Sequence, residues 1–488
     1  MRFSFLFFLV VISPVFGQSS GSGRTTITGT LDTRQPHPAV QGPSNPVRRP
    51  RQILPPAELA ARQQELIRQR PSLVVPPGVE KVDLLARGQA PSYLGGQSLA
   101  MNATRSFAGI PWTFFEPPSP DVAVGPVDVL QTAHSQIARY NKNGQKLSQV
   151  SLQQWFASIL PQVCPSGAQN CNMFDPSIRY DSLHGRFLIL AFSEDAGDIF
   201  SPTYGMSHFV LSVSNGATYE SGFRHWAFRG NLNGSTPTPY ELDYPQMGYD
   251  NNCVYLTGNM WDPNDLIYGK IRILKKSELY RESTTAVTYK DIWDLKNEDG
   301  SVAYTIRPAQ VRGAPGTGTP PGILVNASLI LNANYLTLWR IPNPTGDNPT
   351  AQRTTLRSVW PYDFPADFQT LGTVVALGDG ADSAVLKAIQ RNGILYTARN
   401  AGYPTATTTV TYDRIDLARN AVTFQARLVG GNYFFPAFDM PASQAPGNTV
   451  LDKLITGSST DANGALTYAG VPGVKDGEDV YYAHNGRY

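Results

Sequence analysis

From about Phe107 onward, apolar and aromatic residues recur at alternate positions in short runs, and Gly, Pro, Asn or Asp close each run. A period of two is the mark of β-strands that stack face to face. It predicts strands over Val129 to Tyr140 and Lys146 to Leu152, joined by an Asn141-Lys-Asn-Gly144 hairpin turn that needs positive φ. Runs at Arg186 to Phe192, His208 to Val213 and Arg224 to Phe228 form a second unit, and Cys253 to Gly258 with Tyr268 to Leu274 a third. Ile323 to Leu331 and Tyr335 to Ile341 build a fourth. Gly393 to Ala398, Thr407 to Asp413 and Ala421 to Leu428 build a fifth, and Thr449 to Ile455 starts a sixth.

One phrase punctuates this series: an Asp, often beside Pro, leads into a short apolar strand, a tight turn and an aromatic-rich strand. The copies are Asp121-Val-Ala-Val-Gly-Pro126, Asp175-Pro-Ser-Ile-Arg-Tyr-Asp181 and Asp243-Tyr-Pro-Gln-Met-Gly-Tyr-Asp250. Weaker echoes stand at Asp382-Ser-Ala-Val-Leu386 and Phe435-Pro-Ala-Phe-Asp439. Similar β-units repeated every 50 to 70 residues or so predict radial repetition, an all-β propeller of six or seven blades over residues 106–488. A β-sandwich is the competing all-β reading, and it leaves the recurring Asp/Pro starts unexplained.

The first 105 residues lack this period. Arg2 followed by the apolar run Phe3 to Ile12, too short to span a bilayer, and then Val15-Phe-Gly17, reads as a signal peptide over 1–17 with Gln18 as the mature terminus. That predicts secretion, to an extracellular or periplasmic compartment. Residues 18–105 read as a basic arm rich in Pro, Gly and Ser; Gln18 to Pro56 is expected to be disordered or weakly held. One short helix is expected over 57–69, between Pro55-Pro56 and Arg70-Pro71.

Composition narrows the class. Charged residues are 16% of the chain, with 43 Gly and 39 Pro, the profile of a turn-rich extracellular β protein. A net charge of +2 gives no argument for nucleic acid, and no later segment is long and apolar enough to be a membrane span. A monomer is expected. Cys164 and Cys171 bracket a Pro/Ser/Gly/Asn loop and are expected to form a local disulfide, with Cys253 a buried free thiol.

Candidate chemistry centres on the repeated aspartates. If the first strand of each blade lines the axis, Asp121, Asp175, Asp243 and Asp382 start near one end of the channel, where converging carboxylates would call for a hard cation such as Ca²⁺. The alternative is that each Asp caps a turn by accepting backbone N–H bonds. Glycoside hydrolysis needs two carboxyl groups and an aromatic platform; Glu116, Glu194, Asp195 and Glu241 supply acids, and Trp112, Tyr244 and Trp261 supply stacking surfaces. There is no Gly-x-Ser-x-Gly elbow, and the six histidines are scattered. Asn102, Asn233 and Asn326 head N-glycosylation triplets.

The order Pro117-Pro118-x-x-Asp121, Ile137-Ala-Arg-Tyr140 with Asn143-Gly144, Asp175-Pro176 with Tyr180-Asp181 and Arg186-Phe187, and Asp243-Tyr244-Pro245 with Tyr255-Leu-Thr257 and Asn259 is similar to a family of secreted bacterial β-propeller proteins, mostly uncharacterised and loosely sialidase-like. The resemblance covers roughly residues 110–485. Trp339-Arg340-Ile341-Pro342 is similar to the sialidase Arg-Ile-Pro motif, but stands in the fourth unit instead of the first, and the Ser-x-Asp-x-Gly-x-Thr-Trp turns are missing. Family members continue past the last strand, whereas this chain stops at Asn485-Gly-Arg-Tyr488, so a truncated C-terminus is expected. The sequence thus leaves two function classes open: an extracellular binding module for glycan or protein, which it favours, and an extracellular glycoside hydrolase with carboxylates at the channel mouth.

Overall fold

The computed structural model describes residues 18–39, 80–85, 107–110, 119–429, 433–439, 453–458 and 469–472. Within 119–429 the description excludes residues 134, 197–204, 263–264, 314–320, 329–332, 358, 363–367, 371–372, 376–382 and 403–407. The expected signal peptide, the helix over 57–69, Trp112, Glu116, Asn102, Asp382 and the last residues all lie outside the described part.

The alternating runs became antiparallel meanders. The first is Asp121–Val124, Asp128–Ala133, Gln136–Asn141 and Lys146–Ser151. The second runs Cys171–Asp181, Arg186–Asp195, Met206–Ser214 and Phe223–Arg229, and the third Glu241–Tyr249, Cys253–Trp261, Leu266–Lys275 and Val287–Trp293. Arg307–Pro308, Gly322–Ala327, Leu336–Ile341 and Gln352–Leu356 follow, then Val385–Arg391, Ile394–Gly402, Thr408–Asp416 and Ala421–Val429. A final described set is Tyr433–Asp439, Lys453–Ser458 and Ala469–Pro472.

The first strand of each meander contacts the first strand of the next, from Asp121–Val124 through to Tyr433–Asp439, which is the inner wall of a propeller. The apolar clusters agree. The two largest lie between adjacent blades: Leu130, Ile137 and Trp155 of the first against Phe187, Ile189 and Val210 of the second, and Leu190, Phe209 and Trp226 of the second against Met247, Leu256 and Tyr289 of the third. A blade buries both faces only when it has neighbours, so radial packing follows from strands that are apolar on alternate positions of both sides. The sandwich reading is set aside.

The N-terminal arm departs from expectation. Ser19–Thr25 pairs antiparallel with Val287–Trp293, the outermost strand of the third blade, and Thr28–Leu31 pairs with Phe223–Trp226 on the outside of the second. Glu80–Leu85 adds in parallel outside Ala421–Val429. The described arm is therefore a strap that covers free sheet edges, which otherwise invite pairing with other chains. Its glycines look like linker composition but serve close approach: a Cβ on Gly23 would lie 2.6 Å from the Gly234 carbonyl and 2.4 Å from the Tyr289 Cζ and hydroxyl, and one on Gly29 would strike Ser158. Low hydrophobicity marked this segment as disordered because its contacts are backbone hydrogen bonds, which leave no apolar period.

Three short helices lie at Leu152–Trp155, Leu160–Val163 and Lys276–Leu279. The first follows a capping box in which Ser151 and Gln154 bond reciprocally. Cys164 and Cys171 form the disulfide, and Cys253 is free and buried. Gly144 adopts φ 85°, as the hairpin turn required. No helix among the described residues is long and apolar enough to cross a membrane.

Candidate functional site

The repeated Asp/Pro phrase is a repeated backbone irregularity. In the second blade the register slips by one residue between Phe174 and Ser177, in the third between Asp243 and Gln246, and in the last described set between Phe434 and Ala437. Each slip contains a proline, which has no N–H to give the ladder. In the second and third blades the residue before that proline has positive φ, 50° at Asp175 and 50° at Tyr244, and Ser119 before Pro120, just ahead of the first inner strand, has 42°. Such strain costs about 1–3 kcal/mol per residue and persists where the surrounding structure fixes it. Two inner strands thus carry the same strained bulge toward their starting ends, and bulges re-aim the side chains beside them.

Set against that bulge, the aspartates are not equivalent. Asp121 follows the proline, Asp175 precedes it, and Asp243 stands two residues before it. Asp121 accepts bonds from the Val122 and Ile178 amides and from the Arg179 guanidinium on the next inner strand. Asp175 meets the Ser119 hydroxyl, and Asp243 takes the Tyr244 amide at 2.7 Å. Backbone capping therefore accounts for part of the repeat, and no three of His, Cys, Asp and Glu come together as a metal set among the described residues. The second aspartate of the phrase, where it has one, caps the turn at the far end of its inner strand: Asp181 takes the Leu183 amide, and Asp250 the Asn252 and Cys253 amides.

What converges at the bulges is a group of cations around one carboxylate. Burial pushes the Asp121 pKa up, but the charges of Arg179 and Lys387, with the Arg179 and Ile178 hydrogen bonds, outweigh it and hold the carboxyl below its ordinary value. Arg307, from the fourth inner strand, is 5% exposed. It donates to the Gln246 side chain and, at 2.9 Å, to the Val385 carbonyl. Burial, with Arg179 adding to it and Tyr244 and Asp121 opposing it, lowers its pKa to about 10. Arg179 is itself buried, and its Nε has no partner among the described residues. Five inner strands thus contribute Asp121, Arg179, Tyr244, Gln246, Arg307 and Lys387 to one polar cluster near the axis.

Of the residues singled out from sequence, Asp121 and Tyr244 belong to this cluster, and Asp175 and Asp243 flank it. Trp261 is 3% exposed, so it offers no open stacking face. Asp195 is fully buried and holds the disulfide loop through Ser166, while Glu194 pairs with Asn172 on the same blade. Arg340 donates to the Leu417 carbonyl and the Thr354 hydroxyl between the fourth and fifth blades, away from the inner strands. Asn326 and Asn233 are buried and hydrogen-bonded, which closes both to glycosylation of the folded chain. Sequence reasoning missed Arg179, Arg307, Gln246 and Lys387. Arg179 lay inside a repeat, four residues after Asp175, but a single Arg in a strand carries no spacing signal.

No family model matches this chain, and no curated protein matches it. Among solved structures it is similar to a Hadza microbial sialidase (10% identity, TM-score 0.37), with 73% of this chain covering 65% of that one. It is also similar to an α-L-arabinanase of Penicillium chrysogenum complexed with arabinobiose (14% identity, TM-score 0.37, 74% of this chain and 97% of that one). A subtype N10 neuraminidase-like protein from a little yellow-shouldered bat aligns at 10% identity and TM-score 0.36, over 73% and 93%. The chain spans just under two thirds of the sialidase. At such scores these are distant likenesses of fold.

Proposed function

We propose that the protein is an extracellular glycan-binding β-propeller whose axial cluster receives an acidic group, a carboxylate or sulfate borne on a saccharide. The observation that carries this is Arg307, a buried guanidinium that hydrogen-bonds neutral groups, the Gln246 side chain, the Val385 carbonyl and Tyr244. Its one opposing charge, Asp121, is bonded to Arg179 instead; a buried charge bonded only to neutral groups is costly, and an incoming anion relieves that cost through charge-assisted, bidentate bonds. Tyr244 beside it, half-buried and held at positive φ, supplies an aromatic edge at the same place.

Binding is preferred to hydrolysis on the state of Asp121. A glycosidase acid needs its pKa raised so that it keeps a proton to give. Asp121 is held the other way, clamped as an anion by Arg179.

The test is calorimetric titration with a uronate-containing oligosaccharide and with its carboxyl-reduced counterpart. The acidic sugar is expected to bind and the reduced one not, and Arg307→Gln to weaken binding about tenfold or more, as expected for a charged hydrogen bond. Equal binding of both sugars would remove Arg307 from recognition, and release of new reducing ends would restore the hydrolase reading.

A further inference from the structure

We propose that Gln18 is a modification site: once residues 1–17 are removed, its free α-amine closes onto its own side-chain amide, and the mature chain begins with pyroglutamate. The sequence places the cleavage boundary after Gly17. Independently, ordered pairing of the strap begins one residue later, with Ser19 opposite Trp293. Gln18 is half-buried, and its Oε1 accepts the Ala351 amide at 3.0 Å. Ala351 is buried, so that N–H needs its acceptor.

Cyclisation keeps the acceptor atom. The α-amine nitrogen attacks Cδ, a Cδ–N bond forms, and the Cδ–Nε2 bond breaks. The amine's proton leaves with Nε2 as ammonia. Oε1 stays on Cδ as the lactam carbonyl, so the acceptor for Ala351 survives and no outside reactant is needed. Nucleophile and electrophile belong to one residue, so the step carries no association entropy. The reaction also removes a charge. An α-amine with a pKa of about 8 is mostly protonated near neutrality, and at Gln18 that ammonium would sit at a half-buried strand end. The lactam is neutral there, and burying a neutral group costs less than burying an unpaired ion.

The experiment expresses the full-length gene in a secreting host and reads the N-terminal peptide of the exported protein by mass spectrometry. The expected peptide starts at residue 18, is lighter by one ammonia than the same peptide with free Gln18, and resists Edman degradation until pyroglutamyl aminopeptidase is added. Gln18→Asn, whose shorter side chain cannot close a five-membered lactam, is expected to give an unblocked terminus at the same position. A Gln18 terminus that remains a free amine after prolonged incubation overturns the proposal. So does a terminus at any other residue, or a blocked terminus in the Asn variant.

Discussion

Arg272 and Asp291 occupy register-paired positions on neighbouring strands of the third blade, and grip each other through two parallel bonds of 2.8 Å (Nε to Oδ1) and 2.7 Å (Nη2 to Oδ2). Both side chains are fully buried. The pair is a junction. Asp291 also takes the Gly234 amide, Arg272 reaches the Arg229 and Leu232 carbonyls, and its guanidinium lies 3.9 Å from the centre of the Tyr289 ring. It therefore holds the segment that leads from the second blade into the third, on the side where the strap lies.

Breaking one member of such a pair leaves the other charged and dry. Asp291→Ala is expected to lower stability by about 3–5 kcal/mol, whereas the double change Arg272→Met with Asp291→Leu should cost much less, because it removes both charges. Urea unfolding of the three proteins checks this. A double variant as unstable as the single one would show that the carbonyl contacts of Arg272, and not its charge pairing, hold the junction.

The strap makes a steric prediction. Gly23→Val puts a branched side chain where the Gly234 carbonyl and the Tyr289 ring already stand. The expected cost is about 1–3 kcal/mol, the range for overpacking a filled site. Limited proteolysis should then cut within residues 18–31 at concentrations that leave the parent chain intact. Unchanged stability and protection would mean that the strap contributes nothing to holding the blades.

Two buried histidines set an acid limit. Burial lowers the His208 and His225 pKa values to about 3, from an ordinary 6.5. A group whose folded form resists protonation while its unfolded form accepts a proton loses stability as pH falls below the unfolded value, here from about 6.5 down to about 3. Both ring nitrogens of His208 lack partners among the described residues. His208→Leu is therefore expected to flatten the fall of the melting temperature between pH 6.5 and 4 without lowering it at pH 7.5. A pH profile parallel to the parent's would remove His208 from the acid response.

Calcium and an acidic sugar make opposite demands on the axial cluster. A cation at Asp121 must displace the Arg179 guanidinium; an anion at Arg307 need displace no carboxylate bonded to it. Melting curves with added Ca²⁺ and after chelation are expected to coincide, while sulfate at matched ionic strength raises the midpoint of the parent but not of Arg307→Gln. A chelator-reversible rise with Ca²⁺ would instead place a cation at the aspartates and overturn the anion reading.

The strand series was legible because alternation is a local property. Arg186 to Phe192, Tyr268 to Leu274 and Ala421 to Leu428 were all read within a few residues of Arg186–Asp195, Leu266–Lys275 and Ala421–Val429. The strap was not. Ser19–Thr25 pairs with residues 287–293, and nothing in a run of Ser and Gly announces a partner so far along the chain.

By itself, then, the sequence determined the blades, the Cys164–Cys171 bridge, the turn at Gly144 and the repeated Asp/Pro phrase, because each depends on residues that are neighbours in the chain. Tertiary structure alone decided which residues the phrase brings together. Proline at each inner-strand bulge fixes the backbone, and the ring then brings Asp121, Arg179, Tyr244, Gln246, Arg307 and Lys387 together from positions 121 to 387. The aspartates repeat in sequence at different offsets from that proline, and a shift of a single residue in a strand turns a side chain to the other face. Repetition could be read from the letters; the face each letter presents depended on the register.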